Sequence, residues 1–456
     1  MEQSPKEQYY NEITKGGELP IDEAANEEMQ QALKSADNTE RPLLPEEQEI
    51  YEKLKLGATN VIKCFALKRS LDNKKGENLL IVTDSGADEL MVRAMYEAGR
   101  EIAGNDCWIM VTPKTEHAAQ EFGKAIGEKM QSVDALLLIT SLSRTHSTET
   151  GNVLHPAHDV DLIESILNSE HLQAEFSNLR KFSLEELVGK LSQRKLDEES
   201  AFPSKARLIS ITNTTRDILT VGGALEDPIE MAQRIDKMAE VMRGVEKVRI
   251  TSENGTNLEL DIKVPSLIKE SGVIDRPGQA ANFPSGEYAG SVDLAGTSGV
   301  YVVDGAVGMI GKVDAPIKIT IENGVAVKIE GGESAEKLKG ILEKANLEHK
   351  ARYPEDATTD AFKLAEFAFG MNSKAFRYDE AGNKVSPPTS LEGEKGLGTI
   401  HIALGKNTIF NVPKTDPDYN DIGIHIDCVA MKTSIMGIKD NGEEIELIKN
   451  GEMVCL

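Results

Sequence analysis

Runs of contiguous apolar residues alternate with helix-period segments through the first half of the chain, and alternating apolar and polar positions take over in the second. ENLLIVTDSG places Leu79, Leu80, Ile81 and Val82 in a row and then turns. ADELMVRAMYEAGREIAG follows with apolar positions at helical spacing and Gly104 at its end. CWIMVTP reads as the next strand, EHAAQEFGKAIGEKMQ as a helix, VDALLLITS as a third strand and ARLISITN as a fourth. DPIEMAQRIDKMAEVMRGV then reads as a helix with Pro228 in its first turn. Strands without alternation are buried on both faces, so strand–helix–strand repeats of this kind predict a parallel sheet covered by helices. Ahead of them, PEEQEIYEKLKLGATNVIKCFAL has acidic residues at its start and helical periodicity across 44–69.

From Val245 the period falls to two. KVRITSENGTNLELDIK and APIKITIENGVAVKIEGG each fold back on an Asn-Gly pair, a hairpin signature. Two helices interrupt, at about 334–346 and 357–369. The expectation is an α/β chain in three parts. Residues 1–45 form a flexible acidic arm, 46–243 an open α/β domain with a parallel sheet, and 244–456 an α+β domain, mainly antiparallel and barrel-like.

The 456 residues exceed one ordinary core, which agrees with two domains. Acidic residues number 76 against 51 basic, a net charge of −25, which argues against nucleic acid and anionic membrane surfaces as partners. No run of eighteen apolar residues predicts a membrane span, and the polar start lacks a secretory pattern. Cys64, Cys107, Cys428 and Cys455 are scattered without a CxxC pair, as expected of reduced thiols in a cytoplasm. TDSGADEL has neither GxGxxG nor a P-loop lysine, so a nucleotide site is unsupported. Ser141, Ser143 and Ser147 have no GxSxG around them. His146, His155 and His158 fall in a loop-like stretch, THSTETGNVLHPAHD, read as surface or substrate-lining.

The chemistry concentrates near the end. GTIHIALG carries His401, and IHIDCVA carries His425 and Asp427 at i and i+2, on one face of a strand. Imidazole nitrogen and carboxylate oxygen together suit a divalent transition metal. Cys428 points to the opposite face and reads as a small buried apolar residue. Four carboxylates join them: Glu287 in NFPSGEYAG, Glu366 in the apolar segment AFKLAEFAFGMN, taken as helical, and Glu392 and Glu394 in SLEGEKGLG. Two histidines with several carboxylates could hold one or two ions that activate water and polarise a carbonyl.

NFPSGE, LAEFAFGMN, GTIHIALG and IHIDCVA, in that order, together with ENLLIVTDSGADELMVRAMYEAG and VRITSENGTNLELDI, resemble the thermophilic (aminopeptidase T, leucyl-type) family of metallo-aminopeptidases over roughly residues 75 to 440. The resemblance implies metal ligation by Glu287, Glu366, His401, His425 and Asp427, with Glu394 as the match for a further glutamate. It implies two divalent ions (Zn²⁺, Co²⁺ or Mn²⁺), catalytic roles for Glu366 and Glu287, removal of N-terminal residues from a peptide substrate, and a homodimer. The chain departs from the family at Thr408, where a tyrosine is usual, and in the aromatic Phe-Ala-Phe-Gly after Glu366. Tyr288, Tyr353, Tyr378 and Tyr419 are the spatial substitutes to look for. A related branch of the superfamily opens aromatic rings with one Fe²⁺ and O₂, for which His401, His425 and Asp427 would serve. A non-catalytic metal-binding relative is the third reading.

Overall fold

The computed structural model describes residues 43–67, 76–103, 106–116, 120–142, 144, 150, 206–212, 215–263, 267–275, 278–410 and 412–456. The chain forms two compact units. Described residues up to Arg216, with Ile274–Asn282, make the first; Asp217–Val273 and Phe283–Leu456 make the second.

The first unit is built on a five-stranded parallel sheet in the order Cys107–Thr112, Leu79–Asp84, Ala135–Thr140, Arg207–Thr212, Ala280–Asn282. The contiguous apolar runs behave as their pattern predicts: Leu79–Asp84 and Ala135–Thr140 are buried at every position. Helices Pro45–Lys63, Glu89–Ala103 and Lys124–Gln131 accompany them. Past the first strand the chain turns onto its own carboxylate. Asp84 accepts hydrogen bonds from the backbone of Gly86 and Ser141 (2.8 and 2.9 Å) and from the hydroxyls of Thr115 and Ser141. A fixed anion in the TDSG turn is the opposite of a phosphate cradle, in line with the missing nucleotide motif. The histidines at 146, 155 and 158 lie outside the described residues.

The second unit holds two antiparallel sheets, of eight and seven strands. The eight-stranded sheet contains both hairpins expected at Asn-Gly, Val245–Thr251 with Asn257–Ile262 and Ile317–Glu322 with Val325–Glu330. Asn323 and Gly324 both take positive φ (48° and 70°), which the two-residue hairpin turn requires. The seven-stranded sheet runs Gly311–Lys312, Ala306–Val307, His425–Ala430, Ile400–Gly405, Leu364–Gly370, Glu287–Gly290, Ile268–Glu270. One continuous core joins the two sheets, with Val248, Leu260 and Ile319 from the first against Phe367, Ile402 and Ile426 from the second. Helices Pro228–Val241 and Glu333–Arg352 close it with Met231, Ile235, Leu338 and Leu342. The Tyr301 hydroxyl ties strands across the core, 3.1 Å from the Ile400 carbonyl and 3.0 Å from that of Cys428.

One expected helix is a strand. Residues 357–369 do not form a helix; Leu364–Gly370 is fully buried sheet between the Glu287 and His401 strands. Leu, Ala and Glu favour helix, and in this segment only the two phenylalanines favour strand. Burial on both faces decides the conformation against the helical propensity of Leu, Ala and Glu.

No described helix is long and apolar enough to cross a membrane.

Candidate metal centre

Register alone gathers the donors. In the seven-stranded sheet Ala368 lies opposite both Ala289 and His401, Ala403 lies opposite both Glu366 and Asp427, Gly405 opposite His425, and Gly370 opposite Glu287. Since side chains alternate along a strand, Glu287, Glu366, His401, His425 and Asp427 share one face with Ala289, Ala368 and Ala403. Tyr288, Phe367, Phe369, Ile400, Ile402, Ile426 and Cys428 take the other face and fill the core. The small alanines leave the donors room. On the same face Ala289 and Ala368 pack with Phe410 and Val412, with Tyr419 against them.

Two close approaches shape the rim. Gly286 has φ +124°, and a Cβ there would meet the Asn372 side chain at 2.9 Å, so the Ser-Gly-Glu turn depends on glycine. Gly370 lies so near the Gly396 carbonyl that a side chain would collide with it at 2.1 Å. The loop after helix Ser390–Glu394 therefore closes directly on the end of the Glu366 strand, fixed by Asn372 N to Lys395 O (2.7 Å) and Leu397 N to Asn372 O (2.8 Å).

His425 is oriented by its backbone partner. Nδ1 donates to the Lys406 carbonyl at 2.7 Å, which turns Nε2 toward Glu366 Oε2 (2.7 Å) and Asp427 Oδ1 (3.2 Å). His401 presents Nε2 to Glu366 Oε1 (3.4 Å), Glu287 Oε2 (3.6 Å) and Asp427 Oδ1 (3.9 Å). His401 Nδ1 is buried without a hydrogen-bond partner among the described residues. Two donor sets, each with ligand atoms within 4.8 Å of one another, result: Glu287, Glu366 and His401, and Glu366, His425 and Asp427. Glu366 belongs to both.

The charges are mutually dependent. Burial opposes ionisation of His401, but Glu366, Asp427 and Glu287 outweigh it and raise its pKa to about 9. His425 rises well above the usual imidazole value against the same penalty, driven by Asp427 and Glu366. Burial likewise opposes the carboxylates, yet the imidazoles hold Glu366 and Asp427 below their ordinary range. Imidazole nitrogens and carboxylate oxygens this closely spaced on one face form a donor set suited to a cation. Nitrogen and oxygen donors in this number fit a divalent transition metal.

Glu394 and Glu392 part company here. Glu394 is outside both donor sets; it is buried, and its pKa is raised well above the carboxylate range by burial and by Asp427. Its Oε1 is 3.1 Å from the ammonium of Lys395. Glu392 is structural, paired through both oxygens with Arg377 (3.0 and 2.9 Å) and accepting from Gly223 N at 2.7 Å. Thr408 stands half-buried in a short 3₁₀ turn. Of the tyrosines, Tyr288 faces the core, Tyr353 and Tyr378 are exposed, and Tyr419 reaches Asp421 at 3.3 Å.

Two functional candidates escaped the sequence reading. Lys395 is only 4 % exposed, with its Nζ 2.6 Å from Glu287 Oε2 and 3.1 Å from both Glu270 Oε2 and Glu394 Oε1. Burial disfavours its charge, but Glu270, Glu287 and Glu394 more than compensate and hold its pKa well above the lysine norm. Glu270 comes from the edge strand Ile268–Glu270, where it faces Glu287 across the ladder.

The model of one protein family, described as NicX, 2,5-dihydroxypyridine 5,6-dioxygenase, matches residues 197–435. That span exceeds half of the chain and contains every donor named above. The chain belongs to the NicX family. Two solved structures share its fold. A 2,5-dihydroxypyridine dioxygenase from Pseudomonas putida KT2440 is 15 % identical with a TM-score of 0.54, covering 91 % of this chain and 98 % of its own. AmpT from Thermus thermophilus is 12 % identical with a TM-score of 0.51, covering 88 % and 99 %. No curated protein matches.

Proposed function

We propose that this chain is a non-haem Fe²⁺ dioxygenase that opens a dihydroxylated aromatic ring of the pyridine type. The observation that carries the reading is the NicX-family match across the whole donor face. The peptidase reading drawn from the motifs therefore yields first place to the ring-opening one. His401, His425 and Asp427 would hold the ion. Two imidazoles and one carboxylate leave open positions, the pattern of non-haem Fe(II) oxygenases, where the ion supplies the means of engaging O₂.

The protein's own groups have defined tasks in this reading. The Lys406 carbonyl fixes the tautomer of His425, so that its Nε2 faces the centre. Glu366, kept anionic by both imidazoles, is placed to take a proton from a ring hydroxyl. Ala289, Ala368 and Phe410 give a flat ring an apolar wall and keep water from it. The Phe410 ring centroid is 6.5 Å from that of His425.

The test is anaerobic loading with Fe²⁺, followed by O₂ uptake on 2,5-dihydroxypyridine and on catechol. Consumption of one O₂ per ring opened is expected. Release of leucine or arginine from chromogenic amides by the Zn²⁺- or Co²⁺-loaded protein, with no O₂ uptake, would overturn it. That second reading, a two-ion aminopeptidase, is favoured by one feature: Glu366 is shared by both donor sets, as a bridging carboxylate would be.

A further inference from the structure

The family resemblance implies that Glu287, and Glu394 as the match for a further glutamate, are among the ligands of two divalent ions. The structure puts an ammonium between the two glutamates. Lys395 Nζ approaches Glu287 Oε2 to 2.6 Å and Glu270 Oε2 and Glu394 Oε1 to 3.1 Å, and the side chain is 4 % exposed. Glu287 Oε2 is the same oxygen that lies 3.6 Å from His401 Nε2. The ammonium and the first donor set thus compete for one ligand atom.

We propose that Lys395 is a built-in monovalent substitute for a second metal ion, so that each chain loads one divalent ion and not two. The inference rests on the metal centre of the preceding reading. The reasoning is electrostatic and steric. A dication bound through Glu287 and Glu394 would have to sit within a few ångströms of a buried like charge, which disfavours it strongly at short range and low dielectric. The backbone leaves the ammonium little freedom to leave, because Lys395 O and the following residues are pinned to Asn372 beside the tightly packed Gly370. Glu270, which no ligand assignment requires, completes the lysine's shell and shows that the cluster is organised around the ammonium. The remaining donors, His401, His425, Asp427 and Glu366, are enough for one ion and too few for two. Lys395 is on this account a positioning residue: it holds Glu287 away from the metal and fixes the stoichiometry.

The experiment is metal counting, by elemental analysis and by anaerobic titration with Co²⁺ followed in the visible spectrum. The full chain, Lys395→Met, Lys395→Arg and the double variant Lys395→Met/Glu270→Gln are compared, with circular dichroism to select folded protein. The wild type and Lys395→Arg are expected to saturate at one Co²⁺ per chain, and Lys395→Met or the double variant at two, the second with a distinct absorption. The double variant removes one stranded anion along with the cation, so a folding failure of Lys395→Met alone does not end the test. A wild type that saturates at two ions overturns the proposal without any variant. A folded lysine-free variant that still stops at one does so as well, while leaving the one-ion dioxygenase intact. A wild type that binds no Co²⁺ or Fe²⁺ overturns both, and is distinguished by the zero count.

Discussion

The two faces of the seven-stranded sheet are made by the same strands and obey opposite rules. One presents Phe367, Phe369, Ile400, Ile402 and Ile426 to the apolar core. The other, one residue out of phase, presents Glu287, Glu366, His401, His425 and Asp427. The core face is insensitive to any single partner's charge and depends on volume. The donor face depends on charge balance, since burying any one of these groups alone is costly. Its alanines forgo packing, so the face is held by the strands that the core face stabilises. A binding surface of this kind is supported from behind.

Substitutions on the two faces should therefore separate cleanly. The largest effect is expected from Asp427→Ala on the donor face. It removes a proposed ligand and the anion beside His425, so metal affinity should fall by more than the ~10–100-fold that loss of an outer partner costs, measured by competition with a chelator. Phe369→Ala on the core face, where the ring stacks edge-on to Phe367 at 4.8 Å, should cost about 3–5 kcal/mol of stability. The folded fraction should retain its metal; equal loss of metal in denaturant-free buffer would show that the faces are not separable.

A pH series sharpens the contrast. In metal-free protein the pKa of His401 is raised to about 9. Its pairing stabilises fully below about 6.5, the ordinary imidazole value, and that contribution is lost as pH rises through about 9. Metal affinity should run the other way and grow over the same window, because the ion displaces the proton. Urea midpoints with and without metal at pH 6 and pH 9 test both signs. The smallest effect is expected at Thr408→Val, a half-buried position outside both donor sets: ion count unchanged, and stability within ~0.5 kcal/mol.

The sequence disclosed what depends on short range. Contiguous Leu79–Val82 and Leu136–Ile139 announced a parallel sheet, Asn-Gly announced two hairpins, and His425 with Asp427 at i, i+2 had to share a strand face. Glu366 was found but set on a helix, because AFKLAEFAFGMN has no β-branched residue and its strand state is imposed by neighbours 80 residues before and 35 after. Lys395 was passed over because its partner Glu270 lies 125 residues away, and a lysine between a glutamate and a glycine looks like solvated surface. Glu394 would have been dismissed on the same grounds without the family resemblance. Only a large separation in sequence, closed by folding, turns that segment inward.

The Glu366 strand carries a bulge between Leu364 and Glu366: the first is opposite Leu404, yet the second is already opposite Ala403. Leu364 and Phe367, three positions apart, both enter the core as a result, although an unbroken strand would send them to opposite sides. Ala365 is the extra residue. Deleting it would set Leu364 and Glu366 side by side, opposite Leu404 and Ala403 as they already are, and a regular ladder would still send the leucine to the core and the glutamate to the ligands. When relatives are aligned, a one-position gap here should therefore count for little, whereas one between Glu366 and Phe369, where the ladder is unbroken, would throw the residues on one side of it onto the wrong face.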